Sequence, residues 1–326
     1  MELKQGFLFH DRYLLNEKKG TGSFGEVWLA VDQMLSMEVA VKVYIALDDR
    51  GVDEFKKEYK LAFALNHPNL LHAYHFGMCE NRPYLVMPYC PGSAQNLIGK
   101  VDEPTLWRFI HDVGSGLAYL HGKNILHHDI KPDNVLIDKK GNFLITDFGI
   151  STKLRSTLRR NSALQQNVDP KAGSLAYMGP ELFTSTPELV KATDIWALGV
   201  TLYEMMENEL PFFGQGGVML MNGAHLPTIS GEYSPNLKKL VLSCLNKETW
   251  DRPFADQLVD CAKQALRGEA VIIDNYRQKP VPENHAQSTV EDNGKSAEKT
   301  LKKKVWTWAI VFSVVFALCL VLFFSL

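Results

Sequence analysis

The octapeptide His127-His128-Asp129-Ile130-Lys131-Pro132-Asp133-Asn134 sets a base, a cation and an amide where they can face one phosphoryl group. Thirteen residues after Asn134 stands a second carboxylate, Asp147, in the turn Asp147-Phe148-Gly149. Between them, residues 135–146 alternate apolar runs around a polar Gly141-Asn142 turn, the pattern of a β-hairpin that would bring Asp129 and Asp147 together. Transfer of a phosphoryl group from a nucleotide calls for this inventory, because its catalysis is mostly positioning and charge neutralisation. Asp147 and Asn134 offer the hard oxygen ligands that Mg2+ prefers. Asp129 can accept a hydroxyl proton, and Lys131 can neutralise charge on the moving group.

Three elements upstream would position such a reaction. The glycines of Gly20-Thr21-Gly22-Ser23-Phe24-Gly25 let a backbone turn approach phosphates closely, with main-chain N–H groups as donors. A dinucleotide-binding turn of the same spacing opens into a helix, whereas here a strand-like run from Val27 follows. The run Val39-Ala40-Val41-Lys42-Val43-Tyr44 puts a lysine in an apolar strand, which is costly without a partner. Residues 52–65 carry Phe55, Tyr59, Ala62 and Phe63 at helical spacing, with Glu54 and Glu58 on neighbouring turns. Downstream, Leu106, Phe109, Ile110, Val113, Leu117 and Leu120 mark one face of a helix over 103–121, a core element beneath the octapeptide.

In this order, the motifs resemble those of the eukaryotic-like (Hanks-type) serine/threonine protein kinases over roughly residues 13 to 266. The resemblance implies an α+β, two-lobed fold: a small β-rich lobe over about 13–90 with one main helix, and a larger helical lobe over about 91–268. It implies ATP and Mg2+ as cofactors and proteins with serine or threonine acceptors as substrates. Gly20, Gly22 and Gly25 would cover the phosphates, and Val27 the adenine ring. Met87 would lie behind that ring, with the Pro88 carbonyl and the Cys90 N–H at its edge. Lys42 would grip the α- and β-phosphates, held by Glu58, which the family spacing to the His67-Pro68-Asn69 turn selects over Glu54. Asn134 and Asp147 would hold Mg2+, Asp129 would orient and deprotonate the acceptor, and Lys131 would stabilise the γ-phosphate. Asp194 would tie the catalytic-loop backbone from below, and Arg252 would pair with Glu181.

Departures from the family pattern concern regulation. His128 stands where most active relatives have an arginine that gathers an activation-loop phosphate, so basal activity is expected not to depend strongly on one such phosphate. Pro88 replaces a common glutamate but keeps the carbonyl, and Gly179 precedes Pro180-Glu181 where alanine is usual. Hydroxyls among basic residues between 151 and 162 are candidates for autophosphorylation between associated copies, and Ser174 takes the place of a threonine that bridges Asp129 and Lys131. The alternative is a pseudokinase serving as a nucleotide-binding scaffold. Lys42, Glu58, Asp129, Asn134 and Asp147 are all present, which favours the enzyme.

A net charge of -2 gives no pull toward nucleic acid, and five scattered cysteines suggest neither a disulfide framework nor a zinc site. Residues 278–301 are polar and read as part of a flexible linker spanning 269–304. From Val305 to Leu326 there are 22 residues without a charge, about 33 Å as a helix. Trp306 and Trp308 follow Lys302-Lys303-Lys304, so this run is expected to span a membrane with the preceding chain in the cytoplasm.

Overall fold

A computed structural model of the chain describes residues 2–22, 25–147 and 175–273, with the side chains of Glu54, Glu58, Leu61 and Ala62 outside the description. The described residues belong to one compact unit. Its first part is a six-stranded antiparallel sheet of β1 (Leu8–Phe9), β2 (Tyr13–Gly22), β3 (Gly25–Asp32), β4 (Met37–Tyr44), β5 (His75–Cys79) and β6 (Arg82–Pro88). The strand order is β1-β2-β3-β4-β6-β5.

Period-two alternation sorts β4 between two cores. Val39, Val41 and Val43 pack with Phe9, Trp28 and Tyr84 on one face, while Ala40 and Tyr44 pack with Leu85 and Met87 on the other. Lys42 shares the second face by its position between Ala40 and Tyr44. Helix α1 (Asp49–Phe63) covers that face: Phe55 meets Tyr44 edge-on at 5.1 Å and Tyr59 stacks on Phe55 at 5.5 Å. Burial of each such ring contributes about 1.5–3 kcal/mol.

The second part is helical around α2 (Glu103–Gly122), α3 (Lys191–Glu207), α4 (Val218–Met221), α5 (Pro235–Cys244) and α6 (Ala255–Leu266), with a small sheet of β7 (Gly92–Ser93), β8 (Val135–Ile137) and β9 (Phe143–Ile145). Asp102 caps α2 by accepting from the Thr105 N–H at 2.9 Å, and Pro104 sits in the first turn, where its missing N–H matters least. Helix α3 is buried on nearly every side, from Thr193 to Met206, and so serves as the central support of this lobe. The β8–β9 hairpin forms where its sequence pattern places it, pairing Val135 with Ile145.

The structure adds to the expected boundaries. Residues 1–12, read as a plain leader, include strand β1 on the sheet edge and contribute Phe9 to a core. Strand β5 had no separate sequence signal. Residues 269–273, read as the start of a linker, still engage the body: Val271 and Ile273 pack on the core and the Ile272 N–H donates to Gln264. The activation-segment residues 148–174 and the apolar run 305–326 lie outside the described residues. Among the described residues no helix is long and apolar enough to cross a membrane.

Candidate active site

The loop before β8 is fixed from beneath by one carboxylate on α3. Asp194, 1% exposed, accepts from the backbone N–H of His127 at 2.9 Å and of His128 at 2.8 Å, and lies 2.9 Å from His121 Nε2. Burial pushes its carboxyl up, but the contacts from His121 and the His127 backbone hold it below the usual carboxylate range. His128 takes a left-handed backbone at φ 69°, a conformation this anchoring sustains. His127 is fully buried, with Nδ1 accepting the Asp129 N–H at 3.2 Å and Nε2 2.9 Å from the Thr146 carbonyl. Those two contacts specify a neutral imidazole with its proton on Nε2.

On that frame, Asp129 Oδ2 accepts from Asn134 Nδ2 at 2.9 Å, and the same amide donates to the Asp129 carbonyl at 2.7 Å. Lys131 Nζ lies 3.6 Å from Asp129 Oδ2. The hairpin delivers Asp147 at φ 60°, and its carboxylate receives Lys42 Nζ at 2.5 and 2.7 Å. Lys42 therefore reaches from the β4 strand of the small lobe to the end of the hairpin. The side chain of Glu58, expected to hold Lys42, is outside the described residues.

The donor set fits Mg2+ bound together with a nucleotide. With its nitrogen committed to Asp129, Asn134 has its amide oxygen to offer, and Asp147 adds a carboxylate. Among the described residues no cluster of three or more His, Cys, Asp or Glu forms a metal cage. Two protein ligands with phosphate and water completing the shell is the arrangement Mg2+ commonly takes.

The sheet register brings together residues expected to face the nucleotide. Val27 pairs with Lys42 and Ala40 with Met87, so all four sit at adjoining positions of β3, β4 and β6. Val27, Ala40, Met87, Cys90, Leu136 and Leu144 belong to or pack on one apolar cluster. Leu136 and Leu144 were not assigned from sequence; long-range packing brings them to it. Pro88 ends β6 and Cys90 follows in the crossing between lobes, where burial pushes its thiol up to about 11.

Gly20, Gly22 and Gly25 form the tip of the β2–β3 hairpin, with Gly22 opposite Gly25. Gly25 has φ 146°, and a Cβ there would lie 2.1 Å from the Val43 carbonyl oxygen. Gly25→Ala must therefore distort the tip. Strain of this kind costs roughly 1–3 kcal/mol, so the KM for ATP is expected to rise roughly tenfold. An unchanged KM in steady-state kinetics would contradict this placement of the loop.

Residues 175–180 come near the catalytic loop through Tyr177. Tyr177 Oη donates to Glu204 Oε2 at 2.5 Å and lies in electrostatic reach of Asp133 and Asp129. Burial, with Asp133 nearby, raises the Glu204 carboxyl even though Tyr177 donates to it. Glu181 then pairs with Arg252 through two hydrogen bonds of 3.0 and 2.8 Å, the expected partnership. His121, His127 and the Tyr177–Glu204 pair were not assigned from sequence, because each acts through a partner 19 to 73 residues away. Ser174 and the hydroxyls at 151–162 lie outside the described residues.

Residues 13–262 match the family described as protein kinase domain. Serine/threonine-protein kinase PrkC of Bacillus subtilis (strain 168) is 30% identical over 335 residues, which cover 92% of this chain and 50% of that protein. Serine/threonine-protein kinase pakH of Dictyostelium discoideum is 30% identical over 256 residues, covering 76% and 48%. Mitogen-activated protein kinase kinase kinase 3 of Arabidopsis thaliana is 30% identical over 254 residues, covering 74% and 40%. The chain spans about half the length, or less, of these curated relatives.

Proposed function

The chain belongs to the protein kinase domain family, and from that membership we propose that it transfers the γ-phosphoryl of ATP to serine or threonine hydroxyls of proteins. The observation that carries the reading is that two hydrogen-bonded pairs, Asp129 with Asn134 and Lys42 with Asp147, are brought together where the Thr146 N–H donates to the Asn134 carbonyl at 2.9 Å. Bound Mg2+ would neutralise phosphate charge at Asn134 and Asp147. The glycine tip excludes water above the phosphates, and Lys42 fixes the α- and β-phosphates. Asp129, steadied by Asn134, takes the acceptor hydroxyl proton as the oxygen bonds phosphorus, and Lys131 balances charge on the transferred group.

Tethering through residues 305–326 is part of the proposal. The uncharged run, the tryptophans at its start and the preceding lysines support it, with the kinase domain in the cytoplasm. Confinement to a membrane raises local concentration and favours phosphorylation between neighbouring copies.

The test is incubation of the full-length chain with radiolabelled ATP, Mg2+ and a generic basic protein, followed by phosphoamino-acid analysis. Label on serine or threonine is expected. Absence of transfer would overturn the enzymatic reading, and label on tyrosine alone the acceptor class. Recovery of the chain in the soluble fraction after membrane sedimentation would overturn the tether.

A further inference from the structure

A cavity that the kinase reading does not use adjoins the anchored loop. Leu126, the residue before His127, lines it, and so does His121, the partner of Asp194. Its volume of about 500 Å³ falls inside the range of small-ligand sites, roughly 300–1,000 Å³. Three segments meet there: the end of α2, the start of α3 and the turn that leads into α6.

Apolar side chains converge on this cavity yet stay open to water. Leu189 is 42% exposed, Trp250 44% and Phe254 45%. A single apolar side chain at the surface is ordinary, whereas three on one concave wall mark a site that something fills. Two of the three are aromatic, so the wall suits a flat ring, which gains from stacked or edge-on contact beyond the area it buries.

The charges say what that ring should carry. No aspartate or glutamate lines the cavity; Glu188 and Asp251 adjoin lining residues in sequence but lie outside its walls. Three basic side chains do line it, and two have partners: Arg252 pairs with Glu181 and His121 meets Asp194. The third, half-buried Lys191, enters no ion pair among the described residues. One uncompensated cation beside an apolar wall is the complement of an apolar anion.

We propose that this cavity is a binding site for a small aromatic carboxylate, its ring against Trp250 and Phe254 and its carboxylate at Lys191. The proposal goes beyond the kinase reading and does not rest on it. An occupant would touch both Leu126 and His121, the residues that precede and support the catalytic loop.

The test is equilibrium dialysis of the full-length chain in detergent, against a detergent blank, with three probes: naphthoate, naphthamide as its uncharged match, and decalin carboxylate as the same body without aromatic rings. Naphthoate should bind about tenfold more tightly than naphthamide and severalfold more tightly than decalin carboxylate. Saturating Mg-ATP should not displace it. Lys191→Gln should bring the naphthoate-to-naphthamide ratio to near one. This variant removes a cation from the first turn of α3, where cations are disfavoured, so it should melt at or above the wild-type temperature. Trp250→Ala should weaken naphthoate and naphthamide alike. Absence of naphthoate binding would overturn the proposal, as would a charge preference that persists in Lys191→Gln or an affinity indifferent to Trp250→Ala. Displacement by Mg-ATP would put the probe in the nucleotide slot and overturn it too. Decalin carboxylate binding as tightly as naphthoate would overturn the aromatic class. Self-association of the wild-type chain that is lost in Trp250→Ala, with no probe bound, would give this face to a second copy instead.

Discussion

Asp129→Asn is expected to lower kcat for phosphate transfer by about 10²- to 10⁴-fold, the range a positioned general base supplies, while Mg-ATP still binds. The substitution preserves size, and the loop around it is held by groups it does not touch. Asp194 anchors the backbone at His127 and His128, and His127 bridges to Thr146. The asparagine amide oxygen can still accept from Asn134 Nδ2, as Asp129 Oδ2 does at 2.9 Å. Two things are lost: the site that takes the hydroxyl proton, and the negative charge 3.6 Å from Lys131. Nucleotide affinity from a fluorescent ATP analogue should therefore stay within a few-fold of wild type, with the loss confined to turnover. Loss of nucleotide binding in parallel would mean that Asp129 holds the site together instead of acting in the chemistry.

Arg252→Ala should cost about 3–5 kcal/mol of stability, the range for breaking a buried ion pair from one side. Domains of this kind have only about 5–15 kcal/mol in total. The guanidinium is 1% exposed and its donors are all engaged. Nε donates to the Asn246 carbonyl, Nη1 to Glu181 and the Ala192 carbonyl, and Nη2 to Glu181 and the Lys247 carbonyl, at 2.8 to 3.1 Å. Its flat face lies 5.0 Å from the Trp196 ring centroid. Alanine would leave a half-buried carboxylate without its counter-charge and three carbonyls without donors. Burial pushes the Glu181 carboxyl up, and Arg252 more than offsets this, leaving it below its usual 4.5. A carboxylate depressed in the folded state stabilises above its unfolded value, and that contribution is lost as pH falls through the folded value. Urea unfolding should therefore show stability declining as pH drops below about 4.5, with a shallower decline in Arg252→Ala. A loss under 1 kcal/mol would show that the pair contributes no more than a surface ion pair.

What the sequence revealed divides by range. The glycine tip, the Lys42 strand, the 103–121 helix and the 135–146 hairpin were legible because period, capping and turn residues are local signals. The Asp194 anchor and the Arg252–Glu181 pair were reached through family resemblance, and the structure places both with the expected partners. The Lys42–Asp147 contact joins residues 105 apart, and the buried His127 imidazole meets the carbonyl of Thr146, 19 residues away. Strand β1 is two residues long, too short to carry a periodic pattern. The left-handed pair Phe212-Phe213 runs against backbone preference, so reasoning from propensity could not have reached it.

The suspension of the catalytic loop from α3 gives the two sides of the reaction different mechanical standing. His127 and His128 hang from a helix embedded in the large lobe, so Asp129, the proposed proton acceptor beside them, is held by that core. Lys42 and the glycine tip belong to the sheet instead. The two halves of the proposed site therefore rest on different supports. Under the proposed mechanism, any displacement of the sheet would change where the phosphates sit against the base, so turnover could be throttled without altering a single group that performs the chemistry.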